Sequence, residues 1–260
     1  MPALAYTQTI NPTADPVAAT GEITRIIQNA ITNQPRSLQK TIGPSEIGNP
    51  CDHCLTARLA GWEKQEYGTP WASTIGTGAH LLFETFFNNY EKQQGGREHR
   101  FLTEAPVMVG QVGSQQIWGS TDLLDTRTGM TIDWKFVGEA SLRKYRHGPS
   151  HQYRIQAHLY AKGWNDADIP VKHVSIYFLP RTRSKMSDGF WWHEPYQPQI
   201  ALDALNRVNQ LYARLQHANR AGNADSFITG LPRADGCWDC RKYADYQPRI
   251  DTYQGVDLNL

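Results

Sequence analysis

Residues 119–135 constrain the fold more than any other part of this sequence. The stretch reads Gly-Ser-Thr-Asp-Leu-Leu-Asp-Thr-Arg-Thr-Gly-Met-Thr-Ile-Asp-Trp-Lys, with two β-type runs on either side of a turn. Gly129, at the end of that turn, can take the positive φ that a tight hairpin needs. Side chains alternate faces along a strand, so Asp133 and Lys135 share one face and Trp134 takes the other. A hairpin of this kind places Asp122 beside Asp133.

Two carboxylates and an ammonium group in the middle of apolar strands are costly to remove from water. A divalent cation would keep both carboxylates ionised and leave Lys135 free to face a substrate or a bound water. The alternative is a surface hairpin that carries an ordinary salt bridge. The hairpin alone does not decide between these two interpretations.

The composition indicates one folded domain. The chain has 260 residues, of which 40% are hydrophobic, and a formal net charge of +1. This length suits one large domain or one domain with an extension. We place a single domain at residues 21–245, with a core at about 76–180 and loose tails at 1–20 and 246–260. No secretory signal and no run of 18 apolar residues is present, so we expect a cytoplasmic protein without membrane contact, in the host cytoplasm if a phage encodes it.

The four cysteines form two Cys-x-x-Cys pairs, Cys51 with Cys54 and Cys237 with Cys240. In a reducing cytosol this pattern favours a metal over disulfides. We therefore predict one shared metal centre that joins the two ends of the domain. The alternative is two separate, metal-free thiol pairs.

The periodicity of apolar residues predicts an alternation of helices and strands. His80 and Glu84 lie on one face of a predicted helix, as do Gln156 and Tyr160 on another. Pro106 indicates that the first strand lies at a sheet edge. The predicted helices are 22–33, 76–90, 153–164 and 199–219, and the predicted strands are 101–109, 115–125, 130–136 and 173–179, with a loop at 138–151.

Positive charge is concentrated after the hairpin. Between Lys135 and Lys185 there are ten Lys or Arg residues and three Asp or Glu residues. Basic side chains such as Arg143, Lys144 and Arg146, with tyrosines and a tryptophan nearby, suit a phosphate backbone and stacked bases. The alternative is a solvated surface without a nucleic-acid partner.

The order of these motifs resembles the RecB-type branch of the PD-(D/E)XK nuclease superfamily. More narrowly, it is similar to iron–sulfur RecB-like exonucleases of phages and CRISPR-associated systems. The resemblance covers about residues 76–160, and the cysteines extend it to about 45–240. The matching residues are Gly76 and His80, Gly119 and Asp122, Asp133 and Lys135, and Gln156 and Tyr160.

The resemblance implies a role for each of these residues. Asp122, Asp133, His80 and the Trp134 carbonyl would bind Mg²⁺ or Mn²⁺, and Lys135 would be the catalytic lysine that acts on the attacking water and the phosphate. Gln156 and Tyr160 would line the DNA path. Glu84, one turn after His80, would be a further acid that the family pattern does not fix.

The expected fold is α/β, a restriction-endonuclease-like core with a mixed sheet flanked by helices. The expected function is Mg²⁺- or Mn²⁺-dependent hydrolysis of DNA by an exonuclease of replication, recombination or repair, with DNA and proteins of those processes as partners. Two alternatives are a catalytically silent DNA-binding recombination module and a redox-sensing iron–sulfur protein. The resemblance implies a [4Fe–4S] cluster on the cysteines, with zinc as the alternative, because the family places one cysteine before the core and three after it whereas this chain has two and two.

Overall fold

A computed structural model of the protein describes residues 16–33, 42–65, 68–95 and 99–246. The predicted C-terminal tail lies almost entirely outside these residues, as do residues 1–15 of the N-terminal tail. No helix within the described part of the chain is long and apolar enough to cross a membrane.

The described strands form one mixed sheet of five strands in the order β1-β2-β3-β4-β5. The first three strands form an antiparallel meander, β4 lies parallel to β3, and β5 returns antiparallel to β4. The connection from β3 to the parallel strand β4 contains two helices, and helices are the usual crossover between parallel strands. The strands are Phe101–Val112, Gln115–Asp125, Met130–Val137, His173–Pro180 and Phe190–Pro195.

Eight α-helices are described, together with two short 3₁₀ turns at Met186–Asp188 and Asp239–Lys242. The predicted α/β class with a mixed sheet flanked by helices is confirmed. The α-helices are α1 Pro16–Thr32, α2 Pro44–Ile47, α3 Asp52–Leu59, α4 Trp71–Gln94, α5 Glu139–Tyr145, α6 His151–Asp166, α7 Pro198–Arg220 and α8 Ala224–Thr229.

Three apolar clusters hold these layers together. The largest fills the space between the sheet and α6 and α7 and includes Leu124, Leu159 and Val208, all fully buried. A second cluster lies on the opposite face of the sheet, where Trp134 packs edge-on against Phe83 of α4 with ring centroids 5.4 Å apart. The third surrounds the cysteines. The α4 and α6 layers therefore cover opposite faces of β3.

The meander of β1, β2 and β3 contains the hairpin and the edge strand that the sequence predicts. Gly129 has φ of 62°, and a side chain there would also meet the carbonyl oxygen of Pro170 at 2.8 Å. β1, which contains Pro106, lies at the edge of the sheet. The hairpin register pairs Leu123 with Ile132, so Asp122 and Asp133 follow as the next opposed positions.

Three local features of the structure differ from what the sequence predicts. The predicted loop at 138–151 contains α5, whose Leu142 is 1% exposed and packs into the main core. β5 was not predicted; both of its faces carry aromatic side chains, which obscures the alternation. α1 begins at Pro16, inside the predicted N-terminal tail and before the predicted helix at 22–33, and Ile23, Ile26 and Ile27 on it are exposed.

Candidate functional site

The predicted catalytic residues meet where the β2–β3 ladder ends. The last backbone pair of that ladder is Leu123 with Ile132. Beyond it, the N–H of Trp134 donates a 2.7 Å hydrogen bond to Oδ2 of Asp122. A side-chain carboxylate thus satisfies a strand N–H, as buried backbone donors require. The same contact fixes Asp122 against the strand that carries Asp133.

Asp133 and Lys135 form a buried pair on the α6 side of the sheet. Nζ of Lys135 lies 2.6 Å from Oδ2 of Asp133, and the two side chains are 16% and 7% exposed. Gln156 of α6 connects them: its Oε1 accepts from Lys135 at 3.3 Å, and its Nε2 donates to Asp133 Oδ1 at 3.3 Å. The ammonium also lies 4.8 Å from the centre of the Tyr153 ring. Lys135 is therefore held between an anion, an amide and an aromatic ring.

His80 of α4 reaches the same site from the opposite layer. Its Nδ1 lies 3.4 Å from Oδ1 of Asp122 and 3.6 Å from Oε1 of Glu104. One ligand atom from each of His80, Glu104 and Asp122 can be chosen so that all three lie within 4.8 Å of one another. This spacing and this mixture of carboxylate and imidazole donors suit a divalent cation.

Glu104 was not singled out in the sequence. Thr103 pairs with Leu123 and Ala105 with Thr121, which leaves Glu104 opposite Asp122. Its φ of 44° is unusual for a residue other than glycine in a strand. Ser120 Oγ donates a 2.9 Å hydrogen bond to Glu104 Oε2, which leaves Oε1 toward His80. The register between β1 and β2 brings Glu104 to the site, and the sequence alone does not reveal that register. Glu84 does not belong to the three-residue group.

The electrostatics of the site reflect burial and close charges. Burial raises the pKa of Asp133 to about 6, with the Asp122 carboxylate adding to the increase and Lys135 opposing it. Burial alone would lower the pKa of Lys135, but the carboxylates of Asp133 and Asp122 raise it above its ordinary value. Burial likewise opposes protonation of His80, yet its bonds to Asp122 and Glu104 raise its pKa to about 9. Negative charge therefore dominates this site.

The residues predicted to line a DNA path divide into two groups. Gln156 and Tyr160 are both 6% exposed and lie on α6 behind the site. Tyr160 packs on Gly119, where an added Cβ would lie 2.8 Å from the ring. Arg143, Lys144 and Arg146 are exposed on or directly after α5, which follows the end of β3. The DNA contacts of all five residues stay predictions.

The four cysteines lie together and join the N- and C-terminal regions of the described chain. The sulfur of Cys54 lies 3.4 Å from that of Cys240 and 3.6 Å from that of Cys237, and Cys51 lies 3.5 Å from Cys240. The side-chain hydrogen bond between Cys51 and Cys54 lowers the pKa of Cys51 and raises that of Cys54. Four sulfur atoms this close together are suited to a metal.

Comparison with known proteins gives only distant similarities. No family model matches the chain, and no curated protein matches its sequence. An alkaline exonuclease from Laribacter hongkongensis superposes with a TM-score of 0.46 at 11% identity, over 72% of this chain and 94% of its own. A phage-related exonuclease from Haemophilus somnus 129PT gives a TM-score of 0.44 at 11% identity, over 68% of this chain and 95% of its own. We therefore infer function from the residues of this chain.

Proposed function

We propose that this protein is a divalent-cation-dependent deoxyribonuclease that hydrolyses phosphodiester bonds. The observation that carries the proposal is the convergence of His80, Asp122, Asp133 and Lys135 from α4, β2 and β3 at one largely buried position. A protein that only binds DNA has no need for two desolvated carboxylates and an ammonium group at one point, since burying them costs stability.

The residues present fit a divalent cation. Asp133 is almost fully buried, and its Oδ2 has an ion pair with Lys135 but no hydrogen bond of good geometry. Asp122, His80 and the additional Glu104 offer three more donors close together. Oxygen-rich sites with one imidazole suit Mg²⁺ or Mn²⁺. His80, Glu104, Asp122 and Asp133 would hold the cation, with the Trp134 carbonyl as the further donor implied by the resemblance.

When bound, such a cation neutralises phosphate charge and makes a bound water more acidic. The chain's own residues supply orientation and a second positive charge. Lys135 places an ammonium next to the carboxylates, where it can pair with a phosphate oxygen and hold the attacking water. Gln156 keeps that ammonium in position through its amide oxygen. The Trp134 N–H holds Asp122 in one orientation before substrate arrives. Groups fixed in this way lose little freedom in the transition state.

DNA is the proposed substrate because exposed positive charge directly follows the strand that carries Lys135. β3 ends at Val137, and α5 begins two residues later at Glu139. Arg143, Lys144 and Arg146 therefore lie just beyond the strand that carries Lys135. Side chains of this kind neutralise backbone phosphates irrespective of sequence. The resemblance further implies cleavage from DNA ends in replication, recombination or repair.

Digestion of labelled DNA tests this proposal. Linear single-stranded, linear double-stranded and closed circular DNA would each be incubated with Mg²⁺, Mn²⁺ or excess chelator. We expect cation-dependent loss of the linear substrates and survival of the circle. A catalytically silent module would bind but leave all three intact, and cleavage of the circle would replace the exonuclease assignment with an endonuclease.

A further inference from the structure

We propose that the four cysteines bind a single zinc ion in a closed tetrahedral site, in place of the [4Fe–4S] cluster that the resemblance implies. This site is separate from the carboxylate site, so the inference stands or falls independently of the proposed nuclease activity.

The distances between the sulfur atoms carry the inference. Three of them are 3.5, 3.6 and 3.4 Å, and all four sulfur atoms lie within 4.8 Å of one another. Four thiolates at a Zn–S distance of about 2.3 Å on the corners of a tetrahedron are about 3.8 Å apart. The observed sulfur positions therefore match one ion bonded to all four cysteines.

A [4Fe–4S] cluster does not fit the same arrangement. Each of its cysteines binds a different iron, so eight iron and sulfide atoms lie between the four thiolates. Sulfur atoms 3.4 to 3.6 Å apart are already in contact and leave no room for that core. Accepting a cluster would require the segments around Cys51 and Cys240 to move apart, yet the side chains of both are almost fully buried.

The backbone of both segments is folded as metal-binding turns require. Cys51 caps the N-terminus of α3, and the N–H of Cys54 points to its sulfur at 3.5 Å. The N–H of Cys51 donates to Asn49 Oδ1 at 2.9 Å, and the N–H of Cys237 bonds to the Ala234 carbonyl at 3.1 Å. Each turn presents two sulfurs from one side, which is the usual way in which Cys-x-x-Cys pairs hold zinc.

The burial of the cysteines indicates a metal site that stabilises the fold and takes no part in catalysis. Cys51, Cys54 and Cys240 are 0%, 2% and 3% exposed, and four protein ligands leave no coordination position for substrate. Tyr243 covers the site and donates from its hydroxyl to the Cys54 carbonyl at 3.2 Å. Tetrahedral thiolate sites bind zinc or iron, and zinc has the higher intrinsic affinity of the two divalent ions. The ion would connect α3 to the 3₁₀ turn at Asp239–Lys242 and complete the small third apolar cluster.

Metal analysis of the wild-type protein is the primary test. The protein would be purified without oxygen from cells grown with both iron and zinc, and its metal and acid-labile sulfide would be counted. We expect one zinc per chain, no labile sulfide and a colourless solution. Four irons with sulfide, one iron per chain, or no metal at all would overturn the inference.

Variants assign the ion to the cysteines. Cys237→Ser removes the most accessible thiolate and should lose the zinc, whereas Asp235→Asn, an exposed change two residues away, should retain it. Retention of zinc at full occupancy by Cys237→Ser would contradict a four-cysteine site.

Because Cys237→Ser can unfold as it loses zinc, a second measurement uses the wild-type chain. Chelator-treated protein would receive Zn²⁺, or iron with sulfide, and its thermal unfolding would be followed. We expect Zn²⁺ alone to restore the original Tm. Restoration by iron and sulfide alone would support the cluster instead. In the cobalt-substituted protein, the visible spectrum should show tetrahedral thiolate coordination, and an octahedral spectrum would contradict the geometry.

Discussion

The carboxylate of Asp122 accepts a hydrogen bond from the backbone N–H of Trp134 at 2.7 Å, so a side chain closes a gap in the hydrogen-bond ladder of the sheet.

 This bond takes the place of the next rung between β2 and β3, whose last backbone pair is Leu123 with Ile132. Asp122 therefore belongs to β2, but its orientation is set by β3, which also carries Asp133 and Lys135. Three groups of the proposed site, Asp122, Asp133 and Lys135, are thus fixed to the backbone of β3.

The first prediction concerns Glu104, which lies close enough to His80 and Asp122 to share a cation with them. The sequence alone does not identify this residue. Glu104→Gln removes one negative oxygen donor and should weaken Mn²⁺ binding about tenfold or more, with a parallel loss of DNA cleavage. Calorimetric titration with Mn²⁺ measures the affinity directly. Glu84→Gln is the matched control on α4 and should bind Mn²⁺ as the wild type does. Equal affinities for the two variants would remove Glu104 from the site.

Gln156 gives the second prediction. Its amide contacts both Lys135 and Asp133 from within the core. Gln156→Leu keeps a similar volume but leaves the ammonium without its amide partner, so kcat should fall by about tenfold to a hundredfold because the lysine loses its fixed position. Steady-state kinetics with a short oligonucleotide would show the change in kcat. A loss confined to KM would instead indicate that Gln156 contacts DNA, as the sequence predicted.

The sequence predicted the hairpin and the cysteine cluster because both depend on local patterns. The alternation of side chains along a strand predicts the faces of Asp133, Lys135 and Trp134, and two Cys-x-x-Cys pairs are typical of metal sites. Glu104 was missed because its role depends on the register between β1 and β2 and on a positive φ, neither of which is visible in an edge strand with mixed polarity. α5 was missed because seven residues are too few to show a helical period, and its packing depends mainly on Leu142.

The basic residues of α5 and its C-terminus give the third prediction. Replacing Arg143, Lys144 and Arg146 with glutamine should weaken DNA binding and flatten its salt dependence. Each lost phosphate contact should reduce the slope of log K against log salt by about 0.7–0.9. Binding measured by fluorescence anisotropy over a series of salt concentrations provides the slope. As a control, the double variant Arg214→Gln and Arg220→Gln removes charge from α7 and should leave the slope at its wild-type value. A wild-type slope in the α5 variant would show that α5 faces away from DNA.

Asp125 gives the fourth prediction, which concerns stability. Its carboxylate receives two hydrogen bonds from Arg100, at 2.9 and 2.8 Å, and others from the N–H of Arg127 and the hydroxyl of Thr128. The bonds from Arg100 lower the pKa of Asp125 below its ordinary value of 3.8. The carboxylate therefore stabilises the fold fully above that value, and this stabilisation is lost as the pH falls through the lower folded-state pKa.

Asp125→Asn should lower the free energy of unfolding at neutral pH by about 1–3 kcal/mol, because bonds to a charged acceptor are weakened. Urea unfolding at pH 7 and at pH values below 4 tests both parts. The difference between wild type and variant should shrink in acid. A difference that stays constant across this range would show that the Asp125 charge does not contribute to stability.

Lys135→Ala, compared with Asp133→Ala, tests the central claim most directly. Mn²⁺ affinity and single-turnover cleavage of end-labelled DNA would be measured on both proteins after circular dichroism has shown that they are folded. We expect Lys135→Ala to retain Mn²⁺ and lose cleavage by about 10²–10³-fold, because the ammonium acts on charge that develops in the transition state. Asp133→Ala should lose both Mn²⁺ and cleavage. Full nuclease activity in the Asp133→Ala protein would contradict the account.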